Sequence, residues 1–249
     1  MPTAPTIQPP ELVTFDLYDT LIELNPPRWE RLAHACASAG IATTAAALRA
    51  ADREAEDFYT IENGAAPIRD REPAAREAFR LRHMQIWLES AGLRHDLDTA
   101  RDLRARYLSE FETEADHRSY RVFPDVLPAL ERIRQAGIKT AVISNADKDV
   151  TIICMHFAFA EQMDLIVTSA LVGWEKPDPR TFRAAYEALA VEPGRALHIG
   201  DQPKSDVAGA LGVSMQAALI DRYQRHPDAT VPAFATLLDL ADHVTTGTH

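Results

Sequence analysis

Four short stretches hold residues whose types could do chemistry together. An apolar run over residues 12–17 carries Asp16 and leads into Tyr18, Asp19 and Thr20; a second run ends in Ser144 and Asn145. A third stretch reads Lys176-Pro177-Asp178-Pro179, and a fourth apolar run ends in Gly200-Asp201 with Asp206 shortly after. Taken singly each has an ordinary reading: an Asp after a strand as a turn residue, Ser-Asn as a helix cap, Lys before Pro as a solvated cation. Taken together they would gather three carboxylates, Asp16, Asp201 and Asp206, around the ammonium of Lys176. Carboxylates crowded into a crevice raise one another's pKa unless a cation intervenes. A divalent ion held by a few hard oxygens, with its other positions left to water and a phosphate, is the preference of Mg2+. Beside it, a carboxylate nucleophile can take a phosphoryl group as an aspartyl-phosphate that water later hydrolyses. Lys176, the Ser144 hydroxyl and backbone amides after the first strand would neutralise the phosphate oxygens.

That chemistry requires the four stretches to end side by side, and the spacing of apolar residues supplies the means. After Tyr120 the pattern alternates: helix over 125–136, strand over 139–144, helix from near 147, strand over 164–168, helix over 178–190, strand over 196–199, helix over 205–211 and a last short strand over 215–220. With the first strand and its turn at 12–22, this alternation predicts a doubly wound parallel α/β sheet, whose strand ends converge on one crevice. Residues 23–120 follow a different rhythm, helical and without an evident strand. Four amphipathic helices are expected, over 28–39, from Thr43 or Thr44 to 63–64, over 72–91 and over 98–115, forming a small bundle. The expected organisation is a core of residues 1–22 and 121–249 with a helical cap of residues 23–120, inserted where it would overhang the ligand crevice. Phe79, Met84 and Trp87 are expected in the bundle's core, His198 as a buried core histidine and Trp174 as a packing residue.

In this order the stretches FDLYDTL, VISN, KPDP and HIGDQPKSD resemble the four motifs of the haloacid dehalogenase-like hydrolase superfamily, in the subfamily (I) with a helical, C1-type cap. The resemblance implies a Rossmann-like core, Asp16 as nucleophile, Ser144 as the phosphate-binding serine and Lys176 as the charge-balancing lysine. It implies Asp16, Asp201, Asp206 and the backbone carbonyl of Tyr18 as metal ligands. Ser144, Asn145, Lys176 and Thr20 are the expected substrate-binding residues.

One position departs from the phosphatase pattern. Family phosphatases carry an Asp where this chain has Tyr18, as acid to the leaving alcohol and base to the water. A phenol can donate a proton but is a poor base at neutral pH, so Tyr18 would replace that acid. Asp19 stands at a usual glycine position and reads as a turn contact beside Thr20. Tyrosine at this position also resembles the family's 2-haloacid dehalogenases, which need no metal. Against that rival stands Gly200-Asp201 with Asp206, the metal-binding form of the fourth motif. A homologue that binds phosphate or a partner with little turnover is the further alternative. The expected function is a Mg2+-dependent phosphohydrolase acting on a small phosphorylated metabolite.

Composition agrees with such a protein. The 249 residues are 46% hydrophobic, ample for a core, and the net charge of −11 argues against a nucleic-acid backbone or an anionic membrane as the main partner. Cys36 and Cys154 read as free thiols of a reducing compartment. Residues 1–10 form a proline-rich arm with neither the basic start nor the apolar core of a secretory signal. No run is long enough to span a bilayer. A cytoplasmic location is expected.

Overall fold

Leu12-Val13-Thr14-Phe15 is apolar on both faces, and such a strand belongs in the middle of a parallel sheet. In the computed structural model, which describes residues 6–109 and 119–246, it does so. Strand β1 (Leu12–Phe15) is fully buried and lies between two parallel neighbours, with Leu12 opposite Lys139 of one and Ala196 of the other. These neighbours are β4 (Lys139–Ser144) and β6 (Ala196–Gly200). β5 (Leu165–Thr168), β7 (Gln216–Ile220) and β8 (Ala233–Phe234) complete a six-stranded sheet ordered β5-β4-β1-β6-β7-β8, parallel throughout. Because the register is even, Phe15, Val142 and Ile199 stand abreast, and the residues just beyond them share one edge of the sheet.

Side chains alternate across a strand, so each face carries its own set. Leu12, Ala141, Ile143 and Val167 cluster with Phe182, Ala185 and Tyr186 of helix α9 (Pro179–Ala188) and Ala210 of α10 (Ala208–Gly212). Helix α6 (Val126–Gln135) packs on β4 and on α11 (Leu237–Thr246). The fold is the expected α/β arrangement, with two differences at its end. The strand at Gln216–Ile220 is not the last, since β8 and α11 follow it. The stretch read as one helix over 205–211 is a π-turn, Pro203–Val207, leading into α10.

The chain divides into two compact units, Met1–Glu23 with Val122–His249, and Leu24–Arg121. The second is helical. It holds α1 (Arg28–Ser38), α2 (Ala45–Ala50), α3 (Asp52–Ala65), α4 (Pro73–Ser90) and α5 (Leu97–Ser109). The single helix expected after Thr44 is two, broken at Ala51: Thr44 Oγ1 accepts Ala47 N–H at 3.1 Å to cap α2, and Asp52 turns inward to meet Arg28 at 2.7 Å. Phe79, Met84 and Trp87 are buried, and Trp87 Nε1 donates to Leu48 O at 2.8 Å. The expectation of no strand within residues 23–120 fails at both ends of that range. β2 (Ile22–Leu24) pairs with β3 (Tyr120–Val122) in a two-stranded sheet at the points where the chain passes between the units. The first residues of the N-terminal arm and the C-terminal end expected for α5 lie outside the described residues. Both cysteines are free and buried, and burial pushes the Cys36 thiol up to about 11. Among the described residues no helix is long and apolar enough to cross a membrane.

Candidate active site

Asp16 is the first residue past β1. Its N–H still donates to Ile199 O at 2.9 Å, so the parallel ladder fixes the backbone where the carboxylate departs. Lys176 arrives from the loop between α8 (Ser169–Val172) and α9, held by a reciprocal clamp. Its N–H donates to Asn145 Oδ1 at 2.7 Å and its carbonyl accepts from Asn145 Nδ2 at 2.9 Å. The Lys176 ammonium then donates to Asp16 Oδ1 at 2.6 Å and to Asp206 Oδ1 at 2.7 Å, wholly buried. Asn145, expected at the substrate, thus spends its amide on positioning Lys176.

Asp206 sits in the π-turn. Its Oδ2 accepts Gln202 N–H at 2.9 Å, and it lies so close over residue 200 that a Cβ there would fall on its carboxylate. Gly200 is the residue type that this approach demands. His198, fully buried as expected, is more than core filling. Its Nδ1 is 2.8 Å from Thr14 Oγ1 and its Nε2 is 3.3 Å from Asp206 Oδ1. A carboxylate requires a donor opposite it, which assigns the proton to Nε2 and makes Thr14 the donor to Nδ1. Burial lowers the His198 pKa and keeps the ring neutral.

Asp201 follows β6 directly. Its Oδ2 accepts from Gln202 Nε2 at 3.0 Å and from Arg225 Nη2 at 2.9 Å. Among the described residues no hydrogen bond reaches its Oδ1. Thr20 Oγ1 donates to Asp16 Oδ2 at 3.4 Å, and Tyr18 bridges to Ile22 in the same turn. Asp19 takes a left-handed φ of 56°, the conformation that makes glycine usual there, and its N–H donates to Ile22 O at 2.6 Å. Ser144 ends β4 with its hydroxyl buried and, among the described residues, unpartnered. Trp174, expected to pack, is instead 41% exposed with Arg180 over its ring.

The electrostatics separate the three carboxylates. Burial pushes Asp16 up to about 6, against the pull of Lys176. Burial also carries Asp201 well above the usual carboxylate range, with Arg225 opposing and Asp19, Asp16 and Asp206 adding to the rise. Asp206 pays the same desolvation, but Lys176 and His198 outweigh it and hold its carboxyl below the ordinary value. Carboxylate oxygens of Asp16, Asp201 and Asp206 lie within 4.8 Å of one another, all buried. Three hard anionic oxygens, one of them without a donor, fit a divalent cation of the Mg2+ or Ca2+ kind and not a soft one.

Known proteins place this site in a family. A family model described as haloacid dehalogenase-like hydrolase matches residues 10–213. The chain belongs to the haloacid dehalogenase-like hydrolases. It is 29% identical over 220 residues to the bovine haloacid dehalogenase-like hydrolase domain-containing protein 3, spanning 84% of this chain and 81% of that one. It is 33% identical over 151 residues to a phosphoserine phosphatase of Thermus thermophilus, spanning 60% and 57%. Among solved structures, a 2-haloacid dehalogenase of Pseudomonas syringae pv. Tomato superposes with a TM-score of 0.55 at 25% identity, covering 95% of this chain and 99% of that one.

The sequence reads His198 only as a core residue and marks none of Gln202, Arg222 and Arg225. His198 had a signal, since a lone polar residue inside the apolar run ALHIG must find a partner. Arg225 had none, because nothing in its neighbourhood marks which carboxylate it reaches.

Proposed function

We propose that the chain is a Mg2+-dependent phosphohydrolase acting through an aspartyl-phosphate on a small phosphorylated metabolite. The observation that carries this reading is the buried carboxylate trio, Asp16, Asp201 and Asp206, with a single lysine shared by two of its members. A metal-free site would have no reason to bury three acids against two cations, Lys176 and Arg225. The kinship with named phosphatases supports it.

Mg2+ at the trio would offset their charge and that of the phosphate oxygens. The chain does the rest. Asp16, at about 6, is largely ionised at neutral pH, and its carboxylate attacks phosphorus in line with the departing oxygen. Lys176 stays charged, because Asp16 and Asp206 outweigh the desolvation that would neutralise it, and so fixes the orientation of Asp16. Ser144, with a buried hydroxyl that bonds nothing, donates to a phosphate oxygen. Tyr18 stands where family phosphatases carry their general-acid Asp, so no carboxylic acid is positioned there to protonate the leaving group. Water then attacks the acyl-phosphate, releasing inorganic phosphate and restoring the Asp16 carboxylate.

The second reading, a 2-haloacid dehalogenase, is favoured by Tyr18 and by the similarity to the Pseudomonas enzyme. One assay separates the two: phosphate release from para-nitrophenyl phosphate with and without Mg2+, beside halide release from 2-chloropropionate, each repeated with Asp16→Asn. Phosphate release that needs both metal and Asp16 is the expected result. Metal-independent halide release would replace the proposal with the second reading.

A further inference from the structure

One short segment touches both the nucleophile's turn and the carboxylate of Asp201. It follows β7 and begins at Asp221, whose N–H donates to Phe234 O at 2.8 Å. The Asp221 side chain accepts the N–H groups of Arg225 at 2.8 Å and His226 at 2.9 Å, closing the segment into a fixed turn. Two arginines leave it in different directions. Arg222 grips Asp125 with Nη1 at 3.0 and 2.9 Å, donates from Nη2 to Thr20 O at 2.8 Å, and lies over the Phe123 ring at 3.8 Å. Arg225 reaches Asp201 Oδ2 at 2.9 Å, with both its side chain and that of its partner at least nine-tenths buried.

We infer that Arg225 is a positioning residue for the divalent cation: by taking Oδ2 of Asp201 together with Gln202, it turns Oδ1, which accepts no hydrogen bond, toward the cation. A carboxylate held by two donors on one oxygen cannot rotate without losing both. The arginine is itself held, since its backbone is tied to Asp221 and its segment is tied through Arg222 to Thr20, in the turn that also carries Asp16. The segment therefore sets two elements of the centre against each other from one anchor. Arg225 also repels an incoming cation, an effect of opposite sign. Positioning dominates here because the guanidinium charge is already matched by Asp201, whereas a free Asp201 would have only Gln202 to orient it.

The inference rests on the phosphohydrolase reading for its metal alone, and the test keeps the two apart. Binding of Mg2+, and of Mn2+ as a tighter probe, is measured by isothermal titration calorimetry on wild type, Arg225→Met and Arg225→Lys, with thermal unfolding of each protein free of divalent ions. Arg225→Met is expected to weaken binding roughly 10–100-fold, and Arg225→Lys, which keeps a charged donor, to recover part of it. Lys at this position keeps the experiment informative if Met there does not fold. Arg225→Met binding the cation as tightly as wild type, or more tightly, overturns the inference and leaves the phosphohydrolase standing. A wild-type protein that binds neither ion overturns both.

Discussion

The Lys176 ammonium stands 2.6 Å from Asp16 Oδ1, the pair sealed at 1% and 8% exposure. The same ammonium is 2.7 Å from Asp206 Oδ1, so one cation answers two buried anions. Removing it would strand both. Lys176→Met should cost about 3–5 kcal/mol of stability in divalent-free buffer, the range for breaking a buried pair, and Mg2+ should restore part of that loss. Urea unfolding with and without Mg2+ checks it; a variant as stable as wild type in chelator would mean that Lys176 serves the reaction and not the fold.

The raised pKa of Asp16 has a definite sign in stability. Burial lifts it from 3.8 to about 6, so between those values the folded protein holds a proton that the unfolded chain has lost. Stability conferred by the protonated group therefore falls as pH rises through this window. At about 1.4 kcal/mol per pKa step the total is about 3 kcal/mol. Asp201 acts in the same direction, whereas Asp206, held low, contributes stability above its unfolded pKa that is lost on acidification. Wild type compared with Asp16→Asn isolates the Asp16 part. Between pH 4 and 6.5 wild type should lose about 2 kcal/mol of stability relative to Asp16→Asn, and a constant difference would refute it. Protons and metal compete for the same oxygens, so Mg2+ should raise the melting temperature more at pH 7.5 than at pH 5.

Much of this was legible from residues alone, and the limits have physical causes. The alternation of apolar runs and helices after Tyr120 specified the parallel sheet, because strands buried on both faces must be apolar throughout. Ala233–Phe234 was too short for any period to show, and Ala51 breaks a helix without a Gly or Pro to announce it. Within the site, Asp16 and Asp201 came from strand ends, where position follows from topology, and Lys176 and Asp206 from short motifs in the loop and turn that follow. Arg225 and Arg222 act across the fold on Asp201 and Thr20, and a partner far away in the chain leaves no local trace.

Gly200 gives a steric prediction. A Cβ at this position would collide with the Asp206 carboxylate, while one at Gly212 would meet nothing. Gly200→Ala should push Asp206 off Lys176 and His198, destabilising the protein by about 1–3 kcal/mol and weakening Mg2+ binding. Gly212→Ala serves as the control and should leave both unchanged. Calorimetric binding and thermal unfolding read the two effects; unaltered Mg2+ affinity in a folded Gly200→Ala would show that Asp206 is not held by this approach.

Tyr18 bears on which phosphates the enzyme can cleave. Beside Asp16 no second carboxylic acid occupies the position of the usual proton donor, and Asp19, the neighbouring acid, sits at a left-handed φ of 56° that the turn imposes. A leaving oxygen that receives no proton departs with its full charge, so the barrier follows the pKa of the leaving alcohol. Aryl and acyl phosphates should therefore react far faster than alkyl phosphates, with kcat/KM falling steeply along a series of leaving groups. Tyr18→Asp, which puts a carboxyl group where family phosphatases have one, should flatten that slope, chiefly by raising the rates of the alkyl esters. Asp19→Asn should leave the slope as it is. A wild-type series that is already flat would mean that Tyr18 or Asp19 delivers the proton, and the slope in Tyr18→Phe and Asp19→Asn would then say which.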